Sequence, residues 1–281
     1  MEISNDGAAA ALAPGMRLGI IGAGAMGGAL LRGVLGSGVP LDAVWAATKS
    51  AASARTVASE FGIATHTSYA ELTASSDVLL LAVKPAQLEA ALVELVAAGL
   101  RADALVISVA AGVSIARIEA ALGSGNPVIR AMPNTPSFVG CGMTAISGGS
   151  HATKAHLAIA ERLFGAVGLC ITIEERLLNA VTAISGSGPA YVYLIIEALA
   201  DAGVRVGLPR DVAMTLVTQT VLGAAVMVQE NDRHPAALRD DVTTPAGCTI
   251  AALLVMEDGK LRAVLARAVE EARNHLEGAS R

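Results

Sequence analysis

The sequence predicts an α/β protein: an open, doubly wound parallel sheet over residues 16–170, then an all-α domain over residues 171–281, behind a flexible tail at 1–15. Three observations predict it. A short apolar run at 16–21 passes straight into Gly22-Ala23-Gly24-Ala25-Met26-Gly27. Further apolar runs of strand length then alternate with segments of helical periodicity. Near Glu174 the alternation stops, and the pattern is helical almost throughout the rest of the chain.

Composition bounds the function classes. The 281 residues are 53% hydrophobic, enough for one large domain or two moderate ones. Only 2% are aromatic, so the core must be built from Ala, Val, Leu and Ile. A net charge of −5 without a basic tract argues against a nucleic-acid partner. Cys141, Cys170 and Cys248 fit neither a zinc spacing nor a disulfide framework, and a reducing, cytoplasmic setting is expected. His66, His151, His156, His234 and His275 share no ligand spacing, so no metal is expected. Two uncharged runs, 179–196 and 212–229, have the length of membrane spans. The first is broken by Ser185-Gly186-Ser187-Gly188-Pro189, and the second carries Thr215, Thr218, Gln219 and Thr220 near its centre. Both are therefore read as helices buried by protein, with no membrane partner. Glu2 and Asp6, without a Lys or Arg beside them, do not make a secretory signal.

The elements follow in order. Residues 16–21 read as a strand and 28–35 as a helix. Glycines between them let the chain turn tightly, let a pyrophosphate approach the backbone, and pack helix on strand. A lone glycine pattern is weak evidence; set between a strand and a helix, it predicts a Rossmann-type site with Gly22, Gly24, Ala25, Met26 and Gly27 against the phosphates. The second strand, 43–47, ends in Thr48-Lys49-Ser50. An NAD site usually has an acid there, roughly 20 residues past the glycine loop, on the ribose 2′-hydroxyl. Hydroxyls and an ammonium suit a 2′-phosphate instead. Thr48 and Lys49 thus predict NADPH, with NADH the alternative should Lys49 be merely solvated.

Residues 77–83 are apolar throughout, as in a buried parallel strand. They end in Lys84-Pro85, with Pro85 suited to the first position of the helix that continues over 86–98. A strand at 104–109 leads to Ala110-Ala111-Gly112 and a helix capped by Ser114, and one at 127–132 leads to Pro133-Asn134-Thr135-Pro136. In an open parallel sheet the carboxyl ends of strands line the ligand crevice. Ala82, Val83, Lys84, Pro85, Ala110, Ala111, Met132, Pro133 and Asn134 are accordingly predicted to surround the nicotinamide half. Strands at 143–146 and 169–173 flank a helix at 154–164. Helices are then predicted at 174–184, 190–204, 211–229, 236–239, 250–257 and 261–275. They are too apolar for a monomer surface, which predicts a homodimer or higher homo-oligomer made largely from this domain.

Within that helical half, Val242-Thr243-Thr244-Pro245-Ala246-Gly247-Cys248-Thr249 is small, hydroxyl-rich and stiffened by proline. It runs into an apolar helix, which places free N–H groups and a positive dipole end at one point suited to a carboxylate. Thr244 and Thr249 can hydrogen-bond a small ligand. An ordinary turn with Thr249 as N-cap explains the stretch alone as well. The dinucleotide loop favours the ligand reading, because a nicotinamide needs something to reduce.

Taken together the motifs resemble the pyrroline-5-carboxylate reductase family. They are GAGAMG (22–27), AVKP (82–85), AAGVSI (110–115), MPNTP (132–136), AISGSGPAYVY (183–193), ALADAGVRVGLPR (198–210) and DDVTTPAGCTIAAL (240–253), in order over residues 16–275. The resemblance implies hydride transfer from NADPH to the C=N carbon of 1-pyrroline-5-carboxylate, giving L-proline, and a helical domain that dimerises, often within larger rings. It also implies that Thr249 is catalytic, hydrogen-bonding the ring nitrogen or supplying its proton. Amides of Gly247, Cys248 and Thr249 would hold the carboxylate. Thr244 is expected to bind substrate too, and so is Ser187, by closing the pocket from the partner subunit; a helix N-cap would explain Ser187 equally. The family's usual loop reads SSPGGAT. Here Ala246 replaces a glycine, and a positive φ would strain it.

Rival readings fare worse. β-Hydroxyacid dehydrogenases of similar architecture carry a catalytic lysine early in the second domain, and no lysine falls between Lys154 and Lys260. A non-catalytic nucleotide-binding protein would have no use for the hydroxyl-rich loop. Cys248 has no histidine nearby to activate it and reads as a packing residue. Glu197 and Asp201 read as a solvated or dimer-facing stripe.

Overall fold

The structure, a computed structural model, describes residues 10–123 and 125–279. The described residues form one eight-stranded sheet in the order β3-β2-β1-β4-β5-β6-β7-β8. Its strands are β1 (Leu18–Ile21), β2 (Val44–Ala47), β3 (Ala64–His66), β4 (Val78–Leu81), β5 (Leu105–Ser108), β6 (Val128–Met132), β7 (Gly142–Gly148) and β8 (Gly168–Thr172). Helices α1 (Ala25–Gly36), α2 (Ala51–Phe61), α3 (Ala70–Ser75), α4 (Pro85–Ala97), α5 (Ile115–Leu122) and α6 (Lys154–Gly165) connect them. Successive strand residues point to opposite faces. Val78 and Leu80 therefore join Leu30, Leu31 and Val34 of α1 in one core, while Leu79 and Leu81 join Leu88, Leu92 and Leu95 of α4 in another. Burial on both faces explains why β4 is apolar at every position.

Several expectations need correction. The expected parallel sheet holds over β3-β2-β1-β4-β5-β6, but beyond it β7 runs antiparallel to β6, and β8 runs parallel to β7. Between β6 and β7 the chain has only a short connection around a 3-10 turn at Thr135–Val139, too little for a parallel crossover, whereas α6 supplies one from β7 to β8. Ala11 and Leu12 are buried, and the Ala11 N–H donates to Ser37 Oγ at 3.0 Å, so a tail does not extend to residue 15. The rest of that expectation, residues 1–9, lies outside the described residues. A continuous helix at 174–184 is replaced by a 3-10 turn at Glu175–Leu177, α7 (Leu178–Val181) and a π-turn at Thr182–Gly186.

By compactness the chain divides into a first unit that runs to Gly186 and takes up the chain again from His275, and a second spanning Ser187–Asn274, later than the change of pattern at residue 170. The helices beyond that point are α8 (Gly188–Arg205), α9 (Arg210–Gln229), α10 (Pro235–Asp241), α11 (Cys248–Asp258) and α12 (Leu261–Ala279). The helical stretches Glu175–Arg205 and Arg210–Gln229 are long and apolar enough to cross a membrane. They were expected to be buried by protein, yet only 11% and 6% of their apolar windows are buried within the chain. Leu194, Val206, Leu216, Leu222 and Met227 lie exposed. A single chain leaves these faces open, as a surface that belongs inside an assembly does.

Candidate functional site

The glycine loop divides its work between packing and access. Gly22 follows β1 at φ 90, and a Cβ built there would lie 2.6 Å from the Ala82 carbonyl oxygen. Gly27, in the first turns of α1, is wedged harder: its Cβ would lie 2.0 Å from the Gly22 carbonyl oxygen. Gly24 is the N-cap of α1, with no side chain capping the helix and nothing within 4 Å of the place its Cβ would take. The first amides of α1 thus stay open beside free space, which fits a pyrophosphate. Ala25 begins that helix exposed, while Met26 turns partly into the core.

At the end of β2, the Gly22 N–H donates to Ala47 O at 2.9 Å and the Thr48 N–H to His66 O at 3.0 Å. Thr48 Oγ1 donates to Ser50 O, and Ser50 caps α2 by accepting from the Ser53 N–H at 3.2 Å. Lys49 is exposed beside this capped helix start, free to meet a phosphate. Arg55 brings a second cation: with His66 and Ser68 it lines a cavity of about 450 Å³ along α2. The sequence offered no signal for it beyond a cation soon after Ser50.

The other predicted loops stand at the ends of β4, β5 and β6. Ala82 and Val83 are half-buried, and Lys84 is the N-cap of α4 with Pro85 first in the helix. Ala110 is buried, its N–H on Ser108 Oγ at 3.3 Å, and Ala111 is half-buried. Pro85 and Ala111 both line a cavity of about 750 Å³ between α4 and α5. Met132 is half-buried and Pro133 buried. Asn134 departs from expectation. Its Oδ1 accepts from the Met143 N–H at 2.8 Å and its Nδ2 donates to Ser185 O at 3.0 Å, so the amide holds protein to protein.

In the second unit, the hydroxyl-rich loop follows α10. Thr243 Oγ1 donates to Arg239 O at 2.7 Å, and a turn then closes with the Gly247 N–H on Thr244 O at 3.1 Å. Pro245 holds the second position and Ala246, at φ 57, the third, as in a type II turn. Gly247 is the N-cap of α11, and no side chain caps that helix. Thr249 is therefore second in the helix rather than its cap, and half-buried, whereas Thr244 and the free thiol of Cys248 are exposed. The amide set also shifts. Gly247 has spent its N–H on the turn, so the open donors are those of Cys248, Thr249 and Ile250. Ser187 is half-buried ahead of α8 and makes no capping bond.

Ala246 sits where glycine is at home. A left-handed backbone costs a non-glycine residue roughly 1–2 kcal/mol. Glycine's unfolded-state entropy returns about 0.5–1 kcal/mol of that. Ala246→Gly should therefore stabilise the protein by at most about 1.5 kcal/mol, read from the urea midpoint; a lower midpoint would mean the loop does not hold this φ in solution.

Other polar residues have local tasks. Asp201 pairs with Arg210 across the α8–α9 turn, and His66 Nδ1 lies 2.9 Å from Glu71. His156 completes a capping box with Thr153, and His234 Nδ1 accepts from the Ala236 N–H. Burial, then nearby Glu161, pushes the Cys170 thiol up to about 12, which keeps it inert.

Comparison with known proteins matches both units. A family model described as pyrroline-5-carboxylate reductase dimerisation matches residues 175–278, spanning both long apolar helices. One described as NADP oxidoreductase, coenzyme F420-dependent, matches residues 17–112. The pyrroline-5-carboxylate reductase of Arabidopsis thaliana is 43% identical over 258 residues, 92% of this chain and 93% of that protein. The Synechocystis reductase is 50% identical over 197 residues, 70% and 73% of the two chains. Among solved structures, the Coxiella burnetii pyrroline-5-carboxylate reductase superposes with a TM-score of 0.90 at 35% identity, covering 95% of this chain and 99% of that one. The Plasmodium falciparum pyrroline carboxylate reductase with NADP bound gives 0.84 at 30%, with the same coverage. A Mycobacterium tuberculosis 3-hydroxyisobutyrate dehydrogenase, at 18% identity and a TM-score of 0.51, shares the fold alone.

Proposed function

Because the chain belongs to the pyrroline-5-carboxylate reductase family, we propose that the glycine-loop sheet holds the nicotinamide cofactor and that the start of α11 holds the imine. The protein is an NADPH-dependent oxidoreductase that reduces the C=N bond of 1-pyrroline-5-carboxylate to L-proline, the last step of proline biosynthesis. It works as a homo-oligomer through its dimerisation domain, and a second copy covers the open faces of α8 and α9.

Bound NADPH supplies the hydride. Gly24 and the first amides of α1 hold its pyrophosphate, and Lys49 its 2′-phosphate, joined by Thr48 once its hydroxyl turns from Ser50 O. Ala82–Pro85, Ala110, Ala111, Met132 and Pro133 surround the nicotinamide half. At α11, the amides of Cys248, Thr249 and Ile250 hold the substrate carboxylate against the positive end of the helix. The Thr249 hydroxyl hydrogen-bonds the ring nitrogen and orients the ring, while Thr244 and Ser187 bind substrate beside it. A protonated cyclic imine is already an electrophile, so positioning does most of the work. One observation carries this assignment: an uncapped helix start with Thr249 in its first turn, preceded by a turn that leaves its amides unspent. Its three free thiols suit a reducing compartment, and we place the enzyme in the cytoplasm.

Oxidation of NADPH, followed by absorbance with 1-pyrroline-5-carboxylate, tests the assignment directly; a protein that binds NADPH but gives no substrate-dependent oxidation would refute it. Cofactor choice is tested at Lys49. A hydrogen bond between charged groups contributes about 1.5–3 kcal/mol, so Lys49→Ala should lower kcat/KM with NADPH by roughly tenfold or more. The value with NADH should stay unchanged. Equal values for mutant and parent with NADPH would mean that Lys49 is only solvated.

A further inference from the structure

Beyond β8, the segment that leads to the first unit's boundary at Gly186 is stitched back to two of the loops proposed to hold the cofactor. Glu175 Oε1 accepts from the Ile115 N–H at 2.7 Å and from Arg130 Nη1 at 3.1 Å. Arg130 lies on β6, paired in register with Ser108 of β5, and its side chain is only 9% exposed. One carboxylate thus neutralises a buried guanidinium and occupies an open amide of α5, whose N-cap Ser114 closes the Ala110–Ser114 loop. Farther along the segment, Pro189 has no N–H to offer the carbonyl four residues earlier, that of Ser185. That carbonyl accepts from Asn134 Nδ2 instead. Residues 175–185 are therefore anchored at two points, one beside the Ala110–Ala111 loop and one at the Met132–Asn134 turn. Both loops were assigned above to the nicotinamide half.

We propose that Glu175 is a positioning residue for the nicotinamide half of the cofactor, acting through Ile115 and Arg130 without touching cofactor or substrate. This rests on the cofactor reading given above. Removing one partner of a buried pair leaves the other charge uncompensated. The first effect should therefore be a shift of β6 and the start of α5, at the nicotinamide end of the site. The adenosine end, built on β1, β2 and the start of α2, shares none of these bonds.

Two ligands separate those ends: NADPH, which needs both, and 2′,5′-ADP, which needs only the adenosine end. Titrated into the full-length protein, Glu175→Ala should weaken NADPH by about tenfold, within the range expected for residues that act through others. It should leave 2′,5′-ADP within twofold of the parent protein. Glu175→Gln keeps an acceptor for the Ile115 N–H but not the charge opposite Arg130, and should fall between. It also carries the test if the alanine variant does not fold. Equal weakening of both ligands would overturn the proposal in favour of general damage to the fold, and unchanged binding of both would overturn it outright. Failure of the parent protein to bind either ligand would instead remove the cofactor reading on which the proposal stands.

Discussion

Thr249→Ala should lower kcat by roughly 10²-fold while NADPH binding and folding stability stay near those of the parent, because a positioned proton donor or acceptor typically contributes 10²–10⁴. The structure makes this a clean substitution. Gly247 is the N-cap of α11, so the hydroxyl at position 249 caps nothing, and alanine is a better helix former than threonine. The three open amides proposed to hold the carboxylate belong to the backbone and survive the change. Loss should thus appear in kcat more than in KM for the imine, the pattern of an interaction that strengthens in the transition state. Thr249→Ser keeps the hydroxyl and should recover most of the rate. The experiment is a steady-state comparison of the three proteins, with NADPH titrated separately into each. A fall smaller than about threefold would mean that the imine's own proton and the carboxylate grip suffice, and would take Thr249 out of the mechanism.

What the sequence revealed here, and what it hid, follows from the range of each interaction. The glycine loop, the apolar runs of β4 and β5, and the proline at the head of α4 are local patterns, each read from a few neighbouring residues. Reversal of β7 depends on how little chain separates it from β6, a limit that apolar patterning does not display. Asn134 was read as a cofactor contact from its place at a strand end. The carbonyl that claims its amide lies 51 residues away, and Pro189, four residues past it, has no N–H to compete for it. In the loop proposed for the imine, the open amides begin one residue later than expected, since a turn closed by the Gly247 N–H is a matter of dihedral angles that the motif does not display. Composition showed these helices to be too apolar for a monomer surface and so predicted an assembly built from this domain, which the match to the dimerisation family supports.

Gly27→Ala should abolish NADPH binding, with affinity lowered by more than about 10²-fold, although it adds a single methyl group; a misplacement of about 1 Å is enough for an effect of that size. The added carbon would lie 2.0 Å from the Gly22 carbonyl oxygen, which is backbone and cannot rotate aside. Gly22 is itself pinned, since its own Cβ position falls 2.6 Å from Ala82 O at the end of β4. Relief must come from moving the start of α1 away from the sheet, which carries the open amides away from the pyrophosphate. Such overpacking costs about 1–3 kcal/mol, a fraction of the roughly 5–15 kcal/mol that holds a domain folded. The variant should remain folded with a lowered urea midpoint. Gly24→Ala is the control: nothing lies within 4 Å of its Cβ position, so its methyl meets no protein atom and, with the pyrophosphate held as proposed, would meet the ligand. That variant should lose affinity with little change in stability beyond the modest penalty of alanine at an N-cap, about 1 kcal/mol or less. If Gly24→Ala bound NADPH as the parent does, the pyrophosphate would not lie against Gly24. If both variants lost stability equally, the division between a packing glycine and an access glycine would fail, and the loop would have to be treated as a single rigid unit.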